Sequence, residues 1–362
     1  MVRLSNGLIS VAFGLALGHV ALLGQAPAAA PADSTRGAVI GTGTFTGFVE
    51  NMDRSLAFYH DAFGMEVPAL PASGSRPYNP PNPQLFEWFD IVGARERHQS
   101  ARVPGTRVTV EFMEIQDVDH KTIPLRIQDP GTATLVLIVR DVDAALARAT
   151  QAGAVVITPG GKPVALADGG RAILIRDVDG RFIELRQSAA APAATGDILD
   201  MRLSIAVNDM SQTTRFYRDV LGFSVEGETG FTADQPTRLL TGLTTADVRR
   251  ARMQAPGSML WIELVEFNGV DRTPLRAADG SHRMRIQDRG AARLQLRAQN
   301  IDALVFSIIT RRGSNSGARV GGVVAIPPNL KGVVVVDPNN FFLTPYAPCD
   351  GCAPGLPGVG RK

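Results

Sequence analysis

The chain has 362 residues, 44% of them hydrophobic and 20% charged, so it can bury more than one sizeable core. Its 37 Lys and Arg nearly balance its 35 Asp and Glu. This balance gives no electrostatic support for a nucleic acid or a membrane surface as a partner. Apart from an N-terminal leader, the length predicts two domains.

The N-terminus predicts a secretory signal peptide over residues 1–31. Arg3 gives a basic start, an apolar run extends from Leu8 to Leu23, and alanines and prolines fill residues 26–32. This order is typical of a cleaved signal peptide, and the apolar run is short for a membrane-spanning helix. We therefore expect a secreted or periplasmic protein with no stable membrane association after cleavage. Retention of the segment as an anchor is the alternative.

An internal repeat organises the rest of the chain. The matching pairs of segments are 48–59 with 206–217, 126–131 with 285–290, and 177–180 with 337–340. Their offsets are 158, 159 and 160 residues, and such a constant spacing predicts a duplicated domain. Each copy repeats more faintly within itself, so the chain is expected to hold four units.

Each unit is expected to begin with a strand and a helix. In the first unit an alternating strand ends at Asn51, which can cap the helix that follows. Met52, Leu56 and Tyr59 recur at helical spacing, and Gly64 lies where a helix ends. Three strand-like runs follow. The sequence therefore predicts an α+β fold of four βαβββ units, arranged as two tandem domains with mixed sheets around a cleft.

Insertions interrupt both copies, and the tail has its own composition. Residues 68–105 and 226–257 are expected to form lids or substrate loops, or solvated surface loops. Cys349 and Cys352 lie in a Pro/Gly-rich tail over residues 348–362. In an exported protein this pair favours a local disulfide over a redox motif or half a zinc site.

These motifs resemble the vicinal-oxygen-chelate superfamily of glyoxalases, bleomycin-resistance proteins and extradiol dioxygenases. The resemblance depends on residues 51–64, residues 209–222 and the strand-turn-strand at 177–185. It implies one such domain over 42–190 and a second over 198–347. Because this fold hosts isomerases, dioxygenases, transferases and binding proteins, the resemblance does not fix a reaction.

Members of this superfamily usually bind a divalent metal through the first strand of a unit, often by His, and the last strand, often by Glu. The corresponding residues here are Thr44, Glu111, Thr134, Glu184, Arg202, Glu263, Arg293 and Thr344. No first-strand position holds His, and Thr and Arg are poor replacements. The histidines of the chain are His19, His60, His98, His120 and His282, expected in the signal peptide, at a helix end and in loops. We therefore expect no cofactor, with a divalent metal as the alternative.

Pairing of the two domains within one chain would mix the candidate residues, as in glyoxalase-type dimers, and a monomer would then suffice. Thr44 and Glu111 would face Arg293 and Thr344. Arg202 and Glu263 would face Thr134 and Glu184. One hypothesis is that a salt-bridged Arg/Glu cluster replaces the metal and holds a polar or anionic small molecule. The competing interpretation is that Arg202, Arg293 and Glu263 face water.

Three functions remain open from the sequence. The first is a periplasmic protein that binds a small molecule without a metal. The second is a lactoylglutathione-lyase-like or dioxygenase-like enzyme with a displaced metal site, using Glu184 with Glu111 or His120. The third is a structural or interaction module whose cleft is filled by side chains.

Overall fold

The computed structural model describes residues 38–104, 109–189, 196–273, 275–277, 279–280, 283–311, 317–326 and 329–349. The signal peptide predicted over residues 1–31 lies outside this part of the chain. Within it, no helix is long and apolar enough to cross a membrane. Cys349 is disulfide-bonded, and its predicted partner Cys352 lies outside the described residues.

The helices and strands follow the predicted repeat. The first half contains β1 (Val39–Val49), α1 (Met52–Phe63), α2 (Pro83–Phe89), β2 (Arg95–Arg102), β3 (Thr109–Gln116), β4 (Ala133–Val139), α3 (Val142–Gln151), β5 (Val155–Val156), β6 (Val164–Ala165), β7 (Arg171–Arg176) and β8 (Phe182–Gln187). The second half contains β9 (Ile198–Val207), α4 (Met210–Arg215), β10 (Ser224–Glu226), α5 (Gln235–Thr241), β11 (Asp247–Gln254), β12 (Ile262–Asn268), β13 (Ala292–Ala298), α6 (Ile301–Arg311), β14 (Arg319–Ile326), β15 (Leu330–Val336) and β16 (Phe342–Pro348).

Two mixed sheets form the framework of the fold, as the sequence predicted. The first sheet has the order β14-β15-β16-β13-β1-β3-β2, and the second has the order β10-β11-β12-β9-β4-β8-β7-β5, with β6 beside β7. The first sheet therefore joins the first and fourth units, and the second joins the second and third. One face of each sheet lines a cleft. We call the cleft of the first sheet the first cleft and the cleft of the second sheet the second cleft. The two copies pair side by side, so residues of both copies line each cleft.

Helix α1 shows why the repeated segments fold alike. The Asn51 side chain accepts a hydrogen bond from the Arg54 N–H, and Gly64 ends the helix in the left-handed conformation. Leu56 and Tyr59 are fully buried, as their spacing predicted. They contribute to a large core formed by the helices and the faces of the sheets opposite the clefts. Helix α4 repeats the arrangement and continues as a π-helical turn.

Two glutamates on the sheet faces opposite the clefts hold the starts of these helices. The Glu114 carboxylate accepts from the Met52 N–H at 2.9 Å, and the Glu266 carboxylate accepts from the Met210 N–H at 2.6 Å. A negative charge at the positive end of a helix is stabilising. These glutamates therefore have a structural role.

The repeated Arg-Ile-Gln-Asp motifs connect the two halves. Arg126 pairs with Asp129 in its own motif and reaches Asp271 in the other half at 3.0 Å. Arg285 pairs with its own Asp288 and reaches Asp119 at 2.7 Å. The relation is reciprocal, so the motif is a structural clamp between the halves.

Buried aspartates begin the repeated turns. Asp177 accepts from the Tyr59 hydroxyl at 3.0 Å, and Asp337 accepts from the Tyr217 hydroxyl at 3.1 Å. Both aspartates also accept backbone N–H groups of their own turns. Burial raises the pKa of Asp337 to about 6, although its hydrogen bonds oppose this shift.

The insertions contain more regular structure than the sequence indicated. The first includes α2 and β2, and the second includes α5 and β11. His98, expected in a loop, therefore lies on β2, opposite Met113 in the ladder with β3. The expectation was wrong because β2 is an edge strand made mainly of charged and polar residues. It follows a proline-rich stretch, so its sequence resembles that of a loop.

Candidate functional site

The second cleft contains an open cavity of about 240 Å³. Strands of the second and third units form its floor, and helix α5 forms one wall. Its polar lining consists of Thr132, Thr134, Asp168, Glu184, Arg186, Ser204, Asp234, Thr237, Thr241, Arg250 and Glu263. Its apolar lining includes Ile127, Leu166, Leu174, Leu240, Val265 and Phe267. A partly apolar cavity with a few convergent polar groups is typical of small-molecule sites.

Strand register places two hydroxyls and two carboxylates at the centre of this floor. Ser204 on β9 lies opposite Glu263 in the parallel ladder with β12. The same serine lies opposite Thr134 in the antiparallel ladder with β4. Glu184 projects from the neighbouring strand β8, which pairs with β4. The cavity therefore combines residues that are distant in sequence.

Two Arg/Glu pairs line the cleft, and we call their four residues the charged quartet. They are Glu184, Arg186, Arg250 and Glu263. The Arg186 Nε donates to Glu184 at 2.6 Å, and the Arg250 Nη1 donates to Glu263 at 2.7 Å. Attraction to Glu184 is the main cause that raises the pKa of Arg186. Burial opposes the charge on Arg250, but attraction to Glu263 and neighbouring carboxylates outweighs it and raises that pKa.

The α5 wall adds another acid to this network. The second terminal nitrogen of Arg250 donates to Thr237 at 2.7 Å and to Asp234 at 3.3 Å. With Asp168, the cavity lining contains four acidic and two basic side chains, a formal charge of −2. Both arginines are already paired, so the remaining capacity of the cleft is mainly that of hydrogen-bond acceptors.

The first cleft is filled by aromatic side chains. Phe86 and Phe89 of α2 are buried with Phe48 of β1, and Trp88 stacks on Phe89 with ring centroids 5.0 Å apart. The added Cβ of an alanine at Gly332 would lie only 2.9 Å from the Trp88 ring. Trp88 therefore lies directly over β15, where a glycine leaves room for it.

Beneath these rings lies a buried ion pair. The Arg293 Nη2 donates to Glu111 at 3.0 Å, and the Thr46 hydroxyl donates to the same carboxylate oxygen at 2.7 Å. Burial opposes the charge on Glu111, but attraction to Arg293 and to His98 outweighs it and lowers the pKa of the carboxyl. The guanidinium also contacts the Phe89 ring, 4.8 Å from its centroid. This part of the predicted Arg/Glu cluster is present.

On β1, the residue at the candidate site lies two positions after the one predicted from the sequence. Thr46, not Thr44, lies opposite Glu111 and Arg293 in the ladders of β1. Strand alternation puts Thr44 and Thr46 on the same face, so only the register was wrong. A bulge in the pairing of β1 with β13, between Thr42 and Phe45, separates Thr44 from that row.

Arg202 is likewise two residues from the corresponding row, which Ser204 occupies. Its guanidinium pairs with Asp200 at 3.1 Å, and both side chains are 39% exposed. Arg202 does not line the cavity. The prediction that it faces Glu263 was therefore wrong, and the competing interpretation of a solvated arginine describes it better.

The other candidates divide between the two clefts. Thr134, Glu184 and Glu263 line the second cleft. Thr344 is fully buried in the first sheet, and its hydroxyl has no hydrogen-bond partner. The displaced site proposed from the sequence is not assembled, because Glu184 and Glu111 belong to different sheets.

His120 does not join either candidate carboxylate. Its Nδ1 lies 2.8 Å from the Gln287 carbonyl oxygen, at the clamp between the halves. His60, at the end of α1, lies 3.0 Å from the Met65 carbonyl oxygen. His98 contacts Glu96 at 2.9 Å and shares the first-cleft face with Glu111. These contacts give the three described histidines local partners rather than a common ligand set, whereas His19 and His282 lie outside the described residues.

The residues at the family's metal positions do not fit a divalent cation. In the first cleft the guanidinium of Arg293 repels cations and already binds Glu111. In the second cleft the corresponding set has two hydroxyls and two carboxylates, and each carboxylate is paired with an arginine. Among the described residues, no group of three or more His, Cys, Asp or Glu could hold a metal ion.

Several cavity residues were missed from the sequence, although signals for two of them existed. Strand alternation places Arg186 on the same face as Glu184. Arg250 precedes Glu263 by the same number of residues as His98 precedes Glu111. Each of the two residues lies on the strand that pairs with the strand of its glutamate. Asp234 and Thr237 had no such signal, because they reach the cleft only through the fold of the insertion.

Two mixed sheets, each assembled from two βαβββ units around a cleft, define the class of this protein. The chain belongs to the Glyoxalase/Bleomycin resistance protein/Dioxygenase superfamily, whose family model matches residues 42–185 and 201–304. This confirms the resemblance found in the sequence.

Solved structures agree with this assignment. Glyoxalase I from Zea mays has 15% sequence identity to this chain and a TM-score of 0.54, and the match covers 86% of this chain and 92% of that chain. A mutant of the same maize protein has 16% identity, with the same coverage and TM-score. At such low identity these matches show the fold alone. Comparison with the sequences of curated proteins gives no match.

Proposed function

We propose that this protein binds a small polar molecule in the second cleft, without the divalent metal that its superfamily usually uses there. The observation that carries the proposal is the open cavity of about 240 Å³, lined by the charged quartet and an apolar wall. A paired set of partly buried charges that borders open space is costly to maintain for packing alone. A ligand that accepts hydrogen bonds from these groups and donates hydrogen bonds to them would account for the paired charges.

The charges of the cleft favour a neutral polyhydroxyl or a cationic ligand. The lining is formally −2, and the donors of Arg186 and Arg250 already serve carboxylates. An anion would have to displace one of these carboxylates. The anion-binding hypothesis depended on Arg202 and Arg293, of which the first lies outside the cavity and the second is buried under aromatic rings.

Absence of the metal is part of the proposal and has a chemical basis. A divalent cation at Glu184 and Glu263 would have to compete with two guanidinium partners, and the two hydroxyls beside them are weak neutral ligands. The cleft residues would instead act directly on the ligand, with carboxylates accepting its donors and the apolar wall covering its carbon skeleton.

Export is proposed on separate grounds. The composition of residues 1–31 supports a cleaved signal peptide, and a disulfide at Cys349 suits an oxidising compartment. Expression with the native N-terminus, followed by N-terminal sequencing of the periplasmic or secreted fraction, tests this. An intact leader on a cell-associated protein would contradict it.

The binding experiment compares two phenylalanine substitutions on α5. Thr241→Phe is expected to fill the second cleft, because Thr241 lines the cavity. Leu239→Phe is the matched control, since Leu239 is half exposed on the same helix and outside the cavity lining. A thermal-shift screen with polyols, sugars, alkylamines and carboxylates should give hits for the wild type and the control, and none for Thr241→Phe.

Metal analysis of the same purified protein completes the test. We expect no stoichiometric transition metal, and no change in the hits after treatment with a chelator. A stoichiometric metal lost from Glu184→Gln would instead support a lyase-like or dioxygenase-like enzyme. A complete absence of hits would favour the structural module.

A further inference from the structure

A second cavity, of about 300 Å³, lies between the two halves and shares one lining residue, Thr132, with the second cleft. We call it the junction cavity, because segments of both halves line it. The turn between β7 and β8 and the segment before β4 contribute from the first half. The segment before β13 and the turn before β16 contribute from the second half. No part of the proposed function uses it.

The junction cavity has the opposite charge to the second cleft. Its charged lining residues are Arg54, Arg176, Arg181, Arg289, Glu50 and Asp179, a formal charge of +2. A positively charged cavity raises the local concentration of anions. This contrast suggests a different class of ligand.

Both acids of this lining already pair with arginines. Arg289 pairs with Glu50 at 2.8 Å, and Arg54 pairs with Asp179 at 3.1 Å. The Asp179 carboxylate also accepts hydrogen bonds from the Ser55 hydroxyl and from the Glu50 N–H. Neither acid therefore hydrogen-bonds the two remaining arginines.

Arg181 is the most deeply buried of the four arginines and is only 6% exposed. Its Nε donates to Asp177 at 3.2 Å, and its Nη2 lies 3.7 Å from Asp179, which is beyond hydrogen-bonding distance. Neither of its terminal nitrogens has a hydrogen-bond partner. Its guanidinium lies over Gly47, where any added Cβ would collide with it.

Arg176 has the same shortage of acceptors. Its Nη2 donates to the Leu125 carbonyl oxygen at 2.5 Å, and its guanidinium lies 4.4 Å from the centroid of the Phe182 ring. Its Nε is buried without a hydrogen-bond partner. Burial lowers the pKa of Arg176, and attraction to Asp177 offsets this only in part. Buried donors normally find acceptors, so these three nitrogens indicate a missing one.

We propose that the junction cavity binds a small oxyanion, the carboxylate or phosphate group of a small molecule, between Arg176 and Arg181. Planar guanidinium groups bind such oxygens in pairs, and both arginines line the junction cavity. The site is separate from the second cleft and does not depend on a ligand there.

The test is isothermal titration calorimetry of the mature protein with inorganic phosphate and, separately, with acetate, at constant ionic strength set by chloride. Saturable binding of either probe is expected, and the stronger of the two identifies the group. Arg176→Gln should weaken it at least tenfold. Arg171→Gln is the matched control, because Arg171 begins the same strand, is exposed and pairs with Asp143 outside the cavity.

A rim variant keeps the test decisive if Arg176→Gln fails to fold. Arg289→Gln alters an exposed cavity residue and should weaken binding severalfold. Thr241→Phe should leave oxyanion binding unchanged, whereas loss of binding in that variant would place the anion in the second cleft. No saturable binding of either probe, or equal binding by wild type and the cavity variants, would overturn the proposal.

Discussion

Helix α2 lies over the first cleft and helix α5 lies over the second, each contributed by an insertion of the unit that supplies half of the sheet beneath. Both helices begin with a side-chain cap, Asn82 in one and Asp234 in the other. Counted from these caps, Trp88 corresponds to Leu240, and Phe89 corresponds to Thr241. Two large aromatic residues fill one cleft, and smaller residues leave the other open.

The sheets beneath the helices show matching differences. Gly332 on β15 corresponds to Ala172 on β7. Strand β15 lies two strands from β13, as β7 lies two strands from β4, and the two residues have equivalent registers. The glycine makes room for Trp88, whereas the alanine packs against Leu240. Arg293 in the first cleft likewise replaces Thr134 of the second. The duplicated units have therefore diverged, one towards a packed core and the other towards an open site.

The largest expected effect comes from breaking the buried ion pair of the first cleft. Glu111→Gln would leave Arg293 charged and buried, and it should lower the free energy of unfolding by about 3–5 kcal/mol. Glu263→Gln, the corresponding change in the second cleft, removes a quarter-exposed partner and should cost about 1 kcal/mol or less. Urea unfolding measures both. Equal losses would contradict the contrast between a packed and an open cleft.

The next effect concerns the two turn aspartates. Asp337 titrates at about 6 in the folded protein, above its unfolded value of 3.8. Its contribution to stability is therefore complete below pH 3.8 and is lost as the pH rises through 6, by about 3 kcal/mol. Asp177 is the corresponding aspartate of the first half, and it differs from Asp337 because Arg181 forms an ion pair with it.

Asp337→Asn should remove this dependence. Between pH 4 and pH 7, its free energy of unfolding should rise by about 3 kcal/mol relative to the wild type, because the variant has no buried carboxyl to ionise. The measurement is urea unfolding across that range. Asp143→Asn, at an exposed ion pair, should track the wild type. A constant difference between Asp337→Asn and wild type would refute the assigned shift.

Overpacking the first cleft should have a smaller effect. Gly332→Ala brings a Cβ within 2.9 Å of the Trp88 ring and should destabilise the protein by about 1–3 kcal/mol. In the control Gly321→Ala, the nearest atom lies 3.4 Å away, so the change should stay within about 1 kcal/mol. Thermal unfolding compares them. A neutral Gly332→Ala would show that Trp88 can move off the sheet.

The smallest effect is expected at Arg202. Arg202→Ala removes an exposed ion pair with Asp200 and should cost less than about 1 kcal/mol. Thermal unfolding checks this, and the ligand hits of the second cleft should persist. Loss of those hits would return Arg202 to the site.

The sequence was sufficient for features that depend on local patterns. Asn51, the apolar face of α1 and Gly64 predicted a helix with both ends, and each was confirmed because capping and periodicity act within a few residues. Strand alternation likewise places Glu111 on the cleft face and Glu114 on the other face, as the structure has them. It could not fix register, because a bulge in β1 changes which threonine lies beside Glu111 without changing its face.

The tertiary structure alone decided which cleft is open. The repeated units, their order and their shared fold follow from the amino-acid sequence, since short segments repeat at a constant offset. Whether a cleft is filled depends on pairs such as Trp88 with Gly332 and Leu240 with Ala172, whose members are far apart in the chain. These pairs meet only after the first unit joins the fourth and the second joins the third, because packing acts between surfaces that the complete fold brings together.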